Sequence, residues 1–257
     1  MTQLITDFAA PTGHSMGLVP RDYAANPSGY MAAAATFPDE LLIPEVEWKE
    51  RLEEQQRTQS SLLDIRGKDY DTLKSLNQDG YGYCWAFSTT KAMMYLRAIM
   101  GQPGVRLSAW AVAAIIKNYR DQGGWCTQSL DFIVKHGVPT LDVWPQGEVK
   151  RSLDTPEMRA NAALHKCTEW WDGTDDREKN WHILVTALLL GLPLATDFNH
   201  WGHSVCSVKL VSVSPPRITI DNSWDTTWGD RGCGDLEGWK AKPDGLVIPR
   251  VQTPSIN

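Results

Sequence analysis

The chain has 257 residues, 42% of them hydrophobic and 22% charged, a balance that suits a packed globular protein and excludes disordered, collagen-like and low-complexity classes. Its 25 basic and 31 acidic side chains leave a net charge of -6, so the sequence offers no clustered cationic footprint for nucleic acid or an anionic membrane surface. The longest apolar stretch, Ile183 to Ala195, is interrupted by Thr186, Gly191 and Pro193 and falls short of the roughly 20 residues that span a bilayer.

In chain order, Met1 to Asp39 carries Pro11, Gly13, Gly17, Pro20, Pro27, Gly29 and Pro38 and reads as an irregular arm broken by turns. Nothing in Met1 to Val19 offers a basic region followed by an apolar run of signal-peptide type, so a cytoplasmic location is expected. Pro44 opens a helix whose apolar stripe is Trp48 and Leu52. Residues 1–63 are therefore set apart as an arm and a helix, and no clean boundary or repeat divides the 64–257 domain. Helical spacing marks Trp85 to Met100, stopped by Gly101 and Pro103. It marks Ser108 to Tyr119 and Gln128 to Lys135 as well. A turn-rich stretch from Pro139 to Gly147 follows, then a short helix from Pro156, a strand at Lys166 to Trp171 and a helix over Glu178 to Leu190. Strands at Leu194 to Phe198, Ser204 to Val211 and Arg217 to Ile220 complete an α+β pattern of helices followed by antiparallel strands.

Five cysteines, Cys84, Cys126, Cys167, Cys206 and Cys233, contain no C-x-x-C pair, so neither zinc nor dithiol redox chemistry is indicated, and no metal or cofactor is expected. Cys84 stands at the head of the Trp85 to Met100 helix, where free N–H groups and the helix dipole favour a thiolate. Most cysteines in such a setting are small core residues; what surrounds Cys84 in sequence points elsewhere.

The run Asn77-Gln78-Asp79-Gly80-Tyr81-Gly82-Tyr83-Cys84-Trp85-Ala86-Phe87-Ser88 resembles the active-site segment of the papain-like cysteine proteases. Leu107-Ser108, Gly123-Gly124, Pro193, His203-Ser204-Val205, Asn222-Ser223-Trp224 and Trp228-Gly229 follow in the family's order. The family's His and Asn lie about 130 to 150 residues beyond the Cys; here they lie 119 and 138 residues beyond it. The resemblance implies a two-lobed papain-like fold, with a helical lobe over about 64–150 and a β lobe over about 151–250. It implies Cys84 as nucleophile, His203 as its base, Asn222 orienting the imidazole, Trp224 covering that bond, and Gln78 as an oxyanion donor. His200 is the minor competitor of His203; His14, His136, His165 and His182 read as structural.

The same resemblance implies a substrate pocket lined by Gly123, Gly124, Trp125, Cys126, Leu194, Trp201 and Ser204. With no charge among them, apolar side chains are expected there. Tyr81, Asp121 and Ile115 occupy positions where secreted members carry half-cystines, so no disulfide is expected. Only eight residues separate Leu194 from His203, which trims one wall of the cleft, and Tyr83 is expected to crowd Cys84. The implied activity is hydrolysis of peptide or isopeptide amides through an acyl-enzyme, with a peptide or protein as partner. The alternative is a papain-fold structural or docking component, of phage-like type, with little turnover. A transglutaminase-like acyl transfer fits the Asn222-Ser223-Trp224 run less well. The arm is expected to dock on the trimmed lobe or a neighbouring subunit, or to occlude Cys84, through Phe8, Leu18, Val19, Tyr23, Tyr30 and Phe37.

Overall fold

The computed structural model describes residues 2–251; Met1 of the arm and the last residues of the main domain, 252–257, lie outside the described residues. Seven strands form one sheet: β1 (Ala34–Thr36), β2 (Glu169–Asp172), β3 (Leu194–Phe198), β4 (His203–Val213), β5 (Pro216–Asp221), β6 (Cys233–Glu237) and β7 (Gly245–Arg250). They lie in the order β1-β2-β7-β3-β4-β5-β6, antiparallel throughout except that β1 runs parallel to β2. Among the described residues eight α-helices accompany them: α1 (Glu45–Thr58), α2 (Leu62–Lys68), α3 (Tyr70–Leu73), α4 (Cys84–Ile99), α5 (Ala109–Ile116), α6 (Cys126–His136), α7 (Pro156–Ala162) and α8 (Arg177–Leu189).

Helix α4 contains neither Gly nor Pro and is buried at every residue from Cys84 to Leu96, as befits a helix enclosed on all sides. It packs on α5 and α6 on one side and on β3 and β4 on the other. The head of this helix therefore meets the sheet where β4 begins. Between β3 and β4 the pairing of Phe198 with His203 leaves only residues 199–202 for the turn, so the shortened wall expected from the sequence is a tight hairpin.

The sequence reading has no counterpart for α2, α3, β1, β6 or β7. Strand β6 reads Cys233-Gly234-Asp235-Leu236-Glu237, poor in β-formers, and Asp235 can be buried only because the Thr219 hydroxyl (2.6 Å) and Arg217 Nε (3.0 Å) donate to it. Strand β7 carries Pro249, and β1 is three small or polar residues at the sheet edge. Pairing partners distant in sequence impose the strand conformation in all three cases.

The arm is a strap across the whole sheet. Residues 3–5 run beside β6, with the Ile5 N–H donating to the Asp235 carbonyl (2.9 Å) and the Asp235 N–H to the Gln3 carbonyl (2.8 Å). At the other end the arm becomes β1, capped by Phe37 edge-on to Trp171 at 4.9 Å. One segment thus supplies the outermost pairing at both ends of the sheet, residues 3–5 beside β6 and the three-residue β1 beside β2, and short edges of this kind offer little for another chain to pair with. Helix α1 then fixes the end of the arm: Trp48 Nε1 donates to the Ile43 carbonyl (2.9 Å), and Gln55 Nε2 donates to the Leu188 carbonyl (2.7 Å) on α8.

Candidate active site

Cys84 is the first residue of α4 and His203 the first of β4, so the helix–sheet packing brings their ends together. His203 Nε2–H donates to Asn222 Oδ1 at 2.8 Å. That bond selects the tautomer whose other nitrogen, Nδ1, is free to accept a proton, and Nδ1 is buried with no hydrogen-bond partner. Ser204, the next residue, turns its N–H and hydroxyl toward Cys84 Sγ, so the start of β4 lies at the head of α4. Trp224 lies over His203 at 4.7 Å between ring centroids and Trp201 at 4.8 Å. These rings exclude water from the His203–Asn222 bond. His200 sits instead on the hairpin turn beside Phe8 and Trp239.

Both members of the pair are in their neutral forms. Burial, only partly offset by the Asn222 bond, depresses His203 to about 4. Burial also pushes the Cys84 thiol up to about 12, against the favourable N–H groups of Ser204 and Gly17. Desolvation penalises each charged form separately, and the arm is one of the elements that cover the site, beside the α4–sheet packing and Trp201 and Trp224.

Residues 15–19 of the arm pass through the cleft. Gln78 Nε2 donates to the Ser15 carbonyl (2.9 Å), and Trp224 Nε1 donates to the same oxygen (3.1 Å). The Ser223 hydroxyl fixes the amide by donating to Gln78 Oε1 at 2.5 Å. The donor assigned to an oxyanion thus already holds a carbonyl. Next, Gly17 brings its N–H to Cys84 Sγ, and only glycine fits, since a Cβ there would overlap the Gly82 carbonyl. Leu18 is buried; its N–H donates to the Gly202 carbonyl (3.1 Å) of the short hairpin. Gly124 N–H donates to the Gly17 carbonyl (2.9 Å), and Val19 N–H to the Gly124 carbonyl (2.9 Å). Gly123 permits the same approach, a Cβ there falling 2.6 Å from the Gly17 oxygen.

Beyond the cleft, Arg21 clamps the arm to buried Asp172 through two bonds of 2.7 and 2.9 Å. The larger surface cavities, about 700 Å³ beside α1 and about 340 Å³ beside α2, are lined by neither Cys84 nor His203.

Around this segment lie the residues expected to line a pocket. Gly124 binds the strap backbone, Cys126 donates to Asp197 Oδ1 (3.0 Å), Ser204 Oγ donates to the same oxygen (2.5 Å), and Trp201 flanks His203. Trp125 caps the start of α6. Leu194 is not in this group: it pairs with Ser207 farther along β3 and, three residues from Asp197, faces the other side of the sheet. Asp197 takes that place, which also corrects the expectation that no charge lies here. Tyr83 does not crowd Cys84; it is fully buried in the helical lobe, its hydroxyl donating to the Arg120 carbonyl (2.8 Å).

All five cysteines are free and buried. Between Tyr81 and Asp121, where a disulfide is absent, Asp121 Oδ1 accepts the Gly82 N–H (2.8 Å), so hydrogen bonds hold together the segments a cross-link would join. Behind the site, Asp221 precedes Asn222 and is met by Lys91 Nζ (3.2 Å), Arg66 Nε (3.5 Å), Tyr95 Oη (3.0 Å) and Ser75 Oγ. This buried network anchors the end of β5 to α2 and α4 and thereby fixes Asn222. Neither Asp197 nor Asp221 stands out in sequence, because each is a single carboxylate in a short strand. Only the strand register shows what they face.

A model of the papain family cysteine proteases matches residues 60–182, a stretch holding Gln78, Cys84 and Gly123-Gly124. His203 and Asn222 lie beyond it and are joined to it by the geometry above. Chymopapain of Carica papaya is 26% identical over 176 residues, 61% of this chain and 49% of its own length. Mexicain of Jacaratia mexicana is 24% identical over 61% of this chain and 78% of its own. The chain thus spans about half the length of chymopapain. Xylellain, a cysteine protease from Xylella fastidiosa, superposes over 96% of this chain and 100% of its own with a TM-score of 0.65 at 15% identity. A recombinant stem bromelain precursor does so over 94% and 78%, with a TM-score of 0.63 at 16% identity. Sequence match, fold and the placement of Cys84, His203 and Asn222 agree in likening the chain to the papain family cysteine proteases, whose fold it shares.

Proposed function

We propose that the protein is a cysteine peptidase cleaving peptide or protein amides, held latent by its own arm. The observation that carries the reading is the His203 Nε2–Asn222 bond of 2.8 Å with Nδ1 left unpartnered at the start of β4, beside the head of α4. Nδ1 takes the thiol proton, Sγ attacks the amide carbon, and the resulting oxyanion meets Gln78 Nε2 and the N–H of Cys84, which a first helical residue leaves without an intrahelical acceptor. The imidazolium then protonates the leaving amine. Water, activated by the same nitrogen, releases the acid from the thioester.

Latency follows from what the arm offers the nucleophile. The sulfur faces an N–H of Gly17, and a hydrogen-bond donor is no electrophile, so the strap inhibits without being a substrate at that bond. A full-length Gly17→Val variant, whose side chain cannot coexist with the Gly82 carbonyl, is expected to hydrolyse a fluorogenic peptide amide that the unaltered chain leaves intact. Absence of turnover in that folded, opened variant would remove the peptidase reading and return the docking alternative.

A further inference from the structure

Behind the site stands a buried carboxylate that the catalytic steps do not use. Asp221, Lys91 and Tyr95 are each at most 3% exposed, and both oxygens of the carboxylate are engaged. Oδ1 accepts the Ser75 hydroxyl at 2.5 Å, and Oδ2 accepts Lys91 Nζ at 3.2 Å and Tyr95 Oη at 3.0 Å. Arg66, also buried, brings its Nε to 3.5 Å from Oδ2 and donates from Nη2 to the Ser75 hydroxyl at 3.2 Å. A carboxylate held on both oxygens cannot rotate, and its counter-charges are what make it tolerable in a dry interior.

Each partner belongs to a different part of the site. Lys91 lies on α4 seven residues after Cys84, about two turns on and on the same face, and it also donates to the carbonyls of Leu73 and Lys74. Ser75 opens the segment that leads to Gln78, and Asp221 is followed at once by Asn222. Beyond that root the two segments pair with each other: Gln78 N–H donates to the Ser223 carbonyl at 2.9 Å, Asp225 N–H to the Leu76 carbonyl at 3.0 Å, and Asn77 bridges to Trp224. The helix of the nucleophile, the oxyanion donor and the imidazole orienter therefore share one fastening.

We propose that Asp221 is a positioning residue, acting through Lys91 on the helix of Cys84, through Ser75 on Gln78 and through the chain on Asn222, so that the three keep their mutual placement when the arm leaves. The inference rests on the peptidase reading and names what holds its site in register. Loss of the negative charge leaves Lys91 and Arg66 as unbalanced cations around Ser75, which frees the 75–78 segment from α4 and lets Asn222 move with the end of β5. Burial lowers Lys91 below its ordinary range and the Asp221 carboxylate opposes that shift, so the α4 end of the fastening weakens with it.

The test uses the full chain opened by Gly17→Val and carrying Asp221→Asn, which keeps the shape and removes the charge; Ser75→Ala, which deletes one hydroxyl, takes the same readings should the first fold poorly. Asp235→Asn is the control, a similarly buried carboxylate whose partners are Arg217 and Thr219 on β5. Alkylation of Cys84 by iodoacetamide is followed against pH by mass spectrometry, with urea midpoints measured alongside. Asp221→Asn should raise the apparent pKa of labelling by about one unit or more, as the thiolate loses its aligned imidazolium, and should lower kcat for a fluorogenic peptide amide about tenfold or more with KM little changed. Ser75→Ala should lower kcat while Gln78 is present, and most of that loss should vanish in Gln78→Ala, through which it acts. An unchanged labelling profile in folded Asp221→Asn, an equal shift in Asp235→Asn, or losses of Ser75→Ala and Gln78→Ala that simply add would overturn the proposal. A shifted profile without turnover keeps the positioning role and sinks the peptidase. Turnover that Asp221→Asn leaves untouched does the reverse, and an opened chain whose Cys84 titrates as an ordinary thiol sinks both.

Discussion

At the scale of single residues, the chemistry is divided among groups whose losses should be unequal. In the opened chain Cys84→Ala removes the bond-forming atom and is expected to abolish amide hydrolysis. Gln78→Ala removes one oxyanion donor and should lower kcat by roughly 10²- to 10³-fold. Asn222→Ala misorients His203 and should leave measurable activity; steady-state kinetics of the three variants checks the ranking, and an inert, folded Asn222→Ala would contradict it. The candidate catalytic residues stood out in the sequence because Gln78, Cys84, His203 and Asn222 follow in the family's order, although the Cys84-to-His203 interval is shortened to 119 residues. Asp197 did not, since Leu194 and Asp197 belong to one short strand and only its pleat and its pairing with Ser204 decide which of them faces Cys126.

At the scale of elements, two contacts replace what the sequence lacks. The hairpin between β3 and β4 is too short to wall the cleft, and the arm provides the wall through Leu18 on the Gly202 carbonyl. The arm's destination was only partly legible. Phe8, Leu18, Tyr23, Tyr30 and Phe37 all contact the body of the chain through their side chains, and Val19, whose side chain is largely exposed, docks through its N–H on the Gly124 carbonyl. Its Pro and Gly content foretold irregular backbone but not the places where that backbone pairs. The second contact is the Asp221 network joining β5 to α2 and α4. Asp221→Ala leaves Lys91 and Arg66 buried without their counter-charge and is expected to cost about 3–5 kcal/mol of stability, measurable as a lowered urea midpoint. A loss below about 1 kcal/mol would show that water or the neighbouring carbonyls already satisfy both cations.

For the whole molecule, closure of the arm and protonation of the site are linked. His203 is depressed to about 4 when buried, against about 6.5 when free. A group whose pKa is lowered in the closed state contributes stability that is present in full above pH 6.5 and is lost as pH falls through 4. Acidification across that window should therefore favour release of the strap, seen as rising susceptibility of residues 10–23 to limited proteolysis. Burial also lowers His165, the half-buried His200 and His136, so the comparison is with His203→Gln, which should flatten part of the dependence; an identical profile in that variant would assign the effect elsewhere.

What most needs testing is whether Cys84 and His203 form a reactive thiol–imidazole pair that the arm keeps neutral and shut. The most direct measurement is the rate of Cys84 alkylation by iodoacetamide at pH 6, mapped by mass spectrometry in the unaltered chain and in Gly17→Val. Ordinary thiols, with pKa near 8.5, react slowly there. Cys84 is expected to be inert in the closed chain and to be labelled at least about tenfold faster in the opened one, where solvent returns and the thiolate–imidazolium pair forms. Equal labelling of Cys84 in both proteins, or a folded Gly17→Val in which Cys84 stays as inert as before, would contradict it.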